Sequence, residues 1–328
     1  MRLLLLLLGA ALLALPYMRV LAAEALDMAL AGFHDLQGRG AYQPVIHEQS
    51  GRWVAYIGLH SGSAVNRVTG AREDNGTLLV DVTDPAKPAT LHHIPGPPGG
   101  EAQMVRVCSG RDLPRAARDR VYLLRSYGHS AHEVWDVTLP EPPRRLSVVS
   151  AGLRGTHKSW WECDTGIAYL VSGVPGWRTS RMTQIFDLAD PGKPVHIRDY
   201  GLAGQEPGAG GSVPTGLHGP ISTGPAGKRV YFGHGTSSGG ILQIVDRDRL
   251  LKGDRAPTRA NLLAPQIGRF DLDPDYGAHT AFPVLGMTVK GADGRATKRD
   301  FVAVTNEALA EGCGGAQKKL WMIDVTDE

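Results

Sequence analysis

Three Gly-x-His triplets, Gly155-Thr156-His157, Gly216-Leu217-His218 and Gly277-Ala278-His279, recur at a spacing of 61 residues. A fixed long period means stacked structural units, each of which buries its apolar face only against its neighbours. The triplet by itself is weak, since Gly32-Phe33-His34 and Gly58-Leu59-His60 also fit it. Its constant place within the repeat is what constrains the fold.

The units share an order of strands. Third-strand segments run Thr77 to Pro85, Glu133 to Thr138, Gln184 to Pro191, Leu242 to Asp246 and Leu320 to Asp327, short β-branched runs closed by Asp-Pro or Thr-Asp. Such runs read as buried strands ending in a turn. Ahead of them lie second strands at Trp53 to Ile57, Val121 to Leu124, Ile167 to Val171, Val230 to Gly233 and Phe301 to Val304. The innermost strands start near Tyr42, Ala102, His157, His218 and His279, and fourth strands run through Ala89 to Ile94, Arg145 to Ser150 and Val195 to Tyr200. Helical periodicity is confined to a short turn near Arg247 to Leu251. Four strands per unit at a period of 55 to 61 residues predict an all-β chain, a β-propeller with blades starting near residues 40, 100, 155, 216 and 277. Leu26 to Leu36 is expected to supply the fourth strand that the last unit lacks, closing five blades. The alternative is a longer ring of which these five repeats are a part.

Arg2, the apolar run Leu3 to Leu15, Pro16 and Val20-Leu21-Ala22-Ala23 predict a signal peptide over residues 1–23, with a propeller domain over 24–328. The run is short for a span, so no membrane span is expected after removal of the signal, and the compartment is periplasmic or extracellular. A net charge of +2 with scattered Lys and Arg gives no nucleic-acid footprint. No glycine loop precedes a helix, so no nucleotide cofactor is expected. Gly235-Thr236-Ser237-Ser238-Gly239 matches the nucleophile-elbow pattern, but a strand follows it where the elbow needs a helix. Asn75-Gly76-Thr77 is a glycosylation sequon by pattern alone. Cys108 and Cys163 each lie eight residues after an equivalent glycine, which predicts a disulfide between neighbouring units and leaves Cys313 unpaired.

The third strands Leu78-Leu79-Val80-Asp81-Val82 and Leu242-Gln243-Ile244-Val245-Asp246, with the turns Asp84 to Pro88 and Asp190 to Pro194, resemble the bacterial LVIVD-repeat family from about Asp27 onward. That resemblance implies a propeller in an exported protein and does not imply an activity. The His-bearing inner strands are similar in pattern to the selenium-binding, methanethiol-oxidase group of propellers. This second similarity implies a copper site, without a motif that carries over residue by residue.

Up-and-down topology sends His34, His60, His129, His132, His157, His218, His234 and His279 to one face, around the mouth of a central channel. His47, His92, His93 and His196 fall elsewhere. Taken singly, a His at a strand start serves a neighbouring carbonyl. Taken together, His157, His218 and His279 on inner strands are the expected metal ligands, with His60, His234 and His132 as additions. Neutral imidazoles suit copper or zinc, and an ion requires their nitrogens to gather within about 4 Å. Glu101, Lys158 and Glu307 are the candidate catalytic groups. Gln43 and Gln103 hold the matching places in the first two units, leaving that side of the ring to a substrate. Trp160-Trp161 reads as packing between blades and Trp177-Arg178 as a pocket wall. Two functions follow: a metal-dependent, oxidoreductase-like protein acting on a small molecule, or a non-catalytic propeller whose mouth recognises a peptide, glycan or partner protein.

Overall fold

The computed structural model describes residues 26–307 and 319–327. The proposed signal peptide and Cys313 lie outside the described residues.

Sheet 1 contains β1 (Ala41–Gln49), β2 (Arg52–Leu59), β5 (Thr77–Asp81) and β6 (Ala89–Ile94), with the small hairpin β3 (Ser63–Val65) and β4 (Arg72–Asp74) inserted after β2. Sheet 2 is β7 (Val105–Ser109), β8 (Val121–Tyr127), β9 (Ala131–Asp136) and β10 (Arg144–Ala151). Sheet 3 is β11 (Ser159–Trp161), β12 (Ile167–Ser172), β13 (Met182–Asp187) and β14 (Val195–Tyr200). Sheet 4 is β15 (Leu217–Ser222), β16 (Arg229–His234), β17 (Ile241–Asp246) and β18 (Gln266–Asp271). Sheet 5 is β19 (Thr280–Lys290), β20 (Ala296–Thr305) and β21 (Leu320–Asp324). All pairings are antiparallel and follow chain order. Helix is limited to α1 (Gly224–Gly227), α2 (Arg247–Lys252), α3 (Arg259–Leu263) and a 3-10 turn over Leu36–Gly38 among the described residues. The chain is therefore all-β and propeller-like, with first strands β1, β7, β11, β15 and β19 adjacent in that order. Among the described residues no helix is long and apolar enough to cross a membrane.

The third-strand aspartates have a structural task that explains their recurrence. Asp81, Asp136, Asp187 and Asp324 each accept the backbone N–H two residues on, at 2.8–3.1 Å, which turns the chain out of the strand. Asp246 instead caps α2 by accepting from Arg249 N. Four of these five carboxylates also meet an arginine within 3.0 Å: Arg52, Arg120, Arg115 and Arg299.

The core is divided among the gaps between successive sheets. Val54, Tyr56 and Leu79 pack on Val105 and Leu123; Leu124 and Val134 on Ala168 and Leu170; Tyr169 and Ile185 on Val230 and Phe232; Tyr231 and Leu242 on Val302 and Val304. One covalent and one ionic tie reinforce these seams. Cys108 is joined to Cys163, with Cα atoms 5.5 Å apart, so equivalent positions of neighbouring sheets do come within disulfide reach. The bridge closes a separation of 55 residues, and its loss (Cys108→Ser with Cys163→Ser) is expected to cost roughly 2–4 kcal/mol. An unchanged urea midpoint in that variant would contradict this. In the second tie, Glu162 is buried and accepts from Arg247 Nε at 2.9 Å, from the Arg247 Nη2 group, and from Tyr169, Ser222 and Thr165. Burial pushes its pKa up, but these donors outweigh it and hold the carboxyl low, and Arg247 is held high by the same pairing. Glu162→Gln strands a buried guanidinium and is expected to lower stability by roughly 3–5 kcal/mol, read by chemical unfolding.

The expected closing strand does not form. Leu26 to Asp35 carry no strand, Leu36 begins the 3-10 turn, and β21 pairs only with β20 among the described residues. The segment is held on sheet 1 instead. Gly32 lies against the Pro85 carbonyl with no room for a side chain, His34 Nε2 meets Thr90 Oγ1 at 3.0 Å, and Asp35 pairs with Arg67. His34 is thereby removed from the channel mouth, where the sequence had placed it. Trp177 is likewise no pocket wall: it is 4% exposed, in the seam between sheets 3 and 4. Sheet 5 leaves Phe282, Leu285, Met287, Leu320 and Met322 exposed.

Candidate metal centre

One backbone device sets the radial position of the inner-strand starts in four of the five units. The residue before each histidine donates its N–H to the preceding sheet: Thr156 to His129 O, Leu217 to Arg181 O and Ala278 to His234 O. Ala102 makes the same bond to Leu59 O in the second unit. Close approach requires glycine in the receiving strand. A Cβ on Gly233 would stand 2.5 Å from Ala278 O, and Gly58 is pressed in the same way against Ala102 and Gln103.

These bonds bring the three repeat histidines together. His157 Nε2 and His218 Nε2 are 2.9 Å apart, and the ring centroids of His218 and His279 are 4.0 Å apart. His218 Nδ1 lies 2.8 Å from the His279 carbonyl, an acceptor only, so that nitrogen carries the proton and Nε2 presents a lone pair. Orientation of one ring nitrogen by a backbone carbonyl is how metal-binding histidines are commonly held. His218, His279 and Glu307 each offer a ligand atom within 4.8 Å of the others. His157 lies outside that group and meets only its His218 member, at 2.9 Å, while its Nδ1 is buried without a partner. Two ring nitrogens 2.9 Å apart are at hydrogen-bond distance, and a tetrahedral ion held by both would need them to part to about 3.3 Å.

Burial keeps these rings neutral. It is the largest cause of the lowering of His157 to about 2, with the charges of Arg181 and Lys158 adding to it. His218 is lowered further for the same reason, helped by Lys158 and His157. His279 falls to about 4 through burial and Lys158. Neutral imidazoles at physiological pH have the lone pairs that a borderline metal needs. Lys158 Nζ lies 3.3 Å from His279 Nε2 and from Thr280 Oγ1, and burial lowers its pKa to about 7 while Glu307 opposes the shift. Glu307 Oε2 is 3.6 Å from the same His279 nitrogen. A charged Lys158 and a metal ion at His279 Nε2 would repel one another, so metal binding there requires the ammonium to swing off the ring.

The other expected ligands are elsewhere. His132 is wholly buried between sheets 2 and 3 with Nε2 3.2 Å from Val171 O, and His234 is buried in sheet 4 with Nε2 3.3 Å from Gln243 Oε1. Both sit on strands whose side chains alternate into the seams, so mapping them to the mouth by connection alone failed. His60 stays near the mouth but packs edge-on against Tyr42, with ring centroids 5.3 Å apart, outside the ligand group. Glu101 pairs with His129 at 3.3 Å and does not reach the histidines' group. Lys158 and Glu307 both touch His279. Trp161 packs in the seam as expected, whereas Trp160 lines a cavity under the site with Arg106 stacked 4.7 Å from its ring.

The sequence reading missed Tyr42, Arg106 and Arg181. Tyr42 stands 6.4 Å from the His157 ring, and burial raises its pKa to about 12. The repeat did contain the signal for Lys158. It follows His157 as Gly219 follows His218, and the missing side chain of Gly219 leaves the space through which the lysine stem passes.

No protein-family model matches the chain, and no curated protein sequence matches it, so the LVIVD resemblance rests on the third strands and turns alone. Similar solved structures are β-rich, propeller-like folds. Sqt1 of Chaetomium thermophilum is 10% identical, at a TM-score of 0.49 over 84% of this chain and 70% of that one. Raptor of the same organism is 11% identical at 0.47 over 87% of this chain, which spans 21% of Raptor's own length. The C-terminal domain of Pseudomonas aeruginosa PilY1 is 15% identical at 0.37, over 86% of this chain and 61% of that domain. The chain is all-β and propeller-like, with a His-Glu group where its inner strands begin.

Proposed function

We propose that the protein is an exported propeller with five blades, the fifth lacking a fourth strand among the described residues, that carries a mononuclear copper or zinc centre at its channel mouth. His218 is the central ligand, His157 and His279 flank it, and Glu307 completes the set. The observation that carries this reading is the His218 ring, whose Nδ1–H is committed to the His279 carbonyl while Nε2 faces His157 Nε2 at 2.9 Å. These residues would hold copper, which would supply one-electron chemistry to a small molecule entering the channel. The chain's own part is to orient the imidazoles, keep them unprotonated and exclude bulk water. Copper is favoured by an exported setting and a ligand set without thiolates, and small sulfur compounds are the first substrates to test.

The test has two readouts. Protein purified from the periplasm should contain about one copper or zinc per chain, and the copper form should consume oxygen with small thiols. Metal-free protein under those conditions would favour the second reading, a binding module. That reading draws on the apolar side chains of sheet 5, Phe282, Leu285, Met287, Leu320 and Met322, which are exposed as contact surfaces often are.

A further inference from the structure

Beside His279 lies a cavity of about 110 Å³, walled in part by Gln43, Arg106, Lys158, Trp160, His279 and Phe282. Two cations, Lys158 and Arg106, line the same cavity. Buried Arg125 and Arg247 are answered by the carboxylates of Glu133 at 3.0 Å and Glu162, whereas Arg198 is answered by the carbonyls of Leu250 and Asn261 alone. Lys158 meets the His279 ring and Thr280 Oγ1, and no carboxylate among the described residues lies within ion-pair distance of it. Arg106 donates through Nε to Ser159 O at 2.9 Å and stacks on Trp160, and it too has no carboxylate partner among the described residues. Two like charges facing one cavity, with Glu307 acting on Lys158 only from beyond ion-pair distance, are costly unless the cavity's occupant supplies a further negative charge.

We propose that this cavity binds the anionic group of the site's substrate, a small carboxylate, sulfonate or phosphate, with Lys158 and Arg106 as its binding residues. The inference rests on the mouth being a small-molecule site and names the class of molecule. Arg106 offers Nη groups in a planar fork that suits an oxyanion, and the Trp160 face fixes the fork's plane. Lys158 supplies a point charge beside His279, so a bound anion would lie next to that ring. Trp160, Ile221 and Phe282 give that remainder an apolar wall. Gly219 is part of the design, because a Cβ there would stand 2.8 Å from Lys158 Cδ and displace the lysine stem. A divalent ion at the histidines would add positive charge to the same cavity, with Glu307 the one carboxylate touching the group among the described residues.

The test is calorimetric titration of the full chain with inorganic phosphate and with acetate, in chelator-stripped and metal-loaded protein. Stripped protein should bind one of these anions saturably with Kd of about 1 mM or tighter. Lys158→Met and Arg106→Gln should each weaken that binding by at least about tenfold, one full charge contact. Gly219→Ala, which changes no charge, should weaken it as well. Circular dichroism establishes that each variant is folded. Absence of saturable binding in both forms would overturn the proposal. So would unchanged affinity in folded Lys158→Met and Arg106→Gln, or binding seen only with metal loaded and untouched by both, since the anion would then sit on the ion. Metal content of the wild type is measured in the same samples, so failure of the metal centre and failure of the anion site are scored separately.

Discussion

His218→Ala is expected to reduce bound copper or zinc from about one ion per chain to less than a tenth, a loss of at least about a hundredfold in affinity. The effect is large because His218 is the shared neighbour: it faces His157 through Nε2, stacks on His279 and takes its orientation from the His279 carbonyl. Removing it separates the remaining donors into two groups, His157 on one side and His279 with Glu307 on the other. The fold should survive, because His218 belongs to none of the apolar seams between sheets. His218→Gln, which keeps bulk and one hydrogen bond, should lose the metal as completely and melt closer to the wild type. His132→Ala and His234→Ala are the informative contrasts. Both remove buried imidazoles away from the group and should lower stability while retaining the metal. Atomic absorption on the four variants separates these outcomes, and metal retained in His218→Ala would remove the centre from its proposed place.

The second large effect is acid lability. Burial lowers His132 to about 4, His234 to about 3 and His93 to about 4, the last in spite of the Glu73 carboxylate 2.6 Å from its Nδ1. An unfolded histidine titrates near 6.5, so in each case the unfolded chain binds the extra proton first. The stabilisation is therefore complete above about pH 6.5 and is lost as pH falls toward 4 and 3. At about pH 4.5 each of the three contributes a loss of roughly 2–3 kcal/mol, together comparable with the whole stability of an ordinary domain. Burial pushes Glu73 up, but His93 and Asn66 hold it low, and its share is lost over the acid end of the same window. Melting temperature should fall by on the order of 10–20 °C between about pH 7.5 and 4.5. Replacing His234 with Gln, which cannot be protonated and can still hydrogen-bond Gln243, should flatten that dependence. Equal melting temperatures at the two pH values would contradict the burial assigned to these rings.

Much of the architecture was legible because the repeat writes one turn several times. Asp81, Asp136, Asp187 and Asp324 each accept from the backbone two residues on, and that local bond needs no knowledge of the rest of the chain. The Cys108–Cys163 bridge was legible for the same reason, since equal offsets in adjacent units become neighbouring positions. The repeat histidines followed from phase alone: the residue before each one is tied to the preceding sheet. What escaped was decided by alternation and by contacts distant in sequence. His234 ends a second strand as expected and His132 falls inside β9 rather than in the connection before it, and both side chains are buried away from the repeat histidines. The segment before Leu36 has a strand-like apolar alternation, yet Gly32, His34 and Asp35 anchor it to sheet 1. Arg106 belongs to β7 and reaches the cavity only because sheet 3 presents Trp160 for it to stack on. No residue near Arg106 in sequence announces that partner.

X-ray absorption at the metal edge of protein purified from the periplasm tests the central claim most directly. The predicted spectrum has two or three imidazole nitrogens at about 2.0 Å with a light oxygen donor, and no sulfur shell. Absence of bound metal, or a first shell of sulfur or of oxygen alone that persists in His218→Ala, would contradict a centre built on His157, His218 and His279.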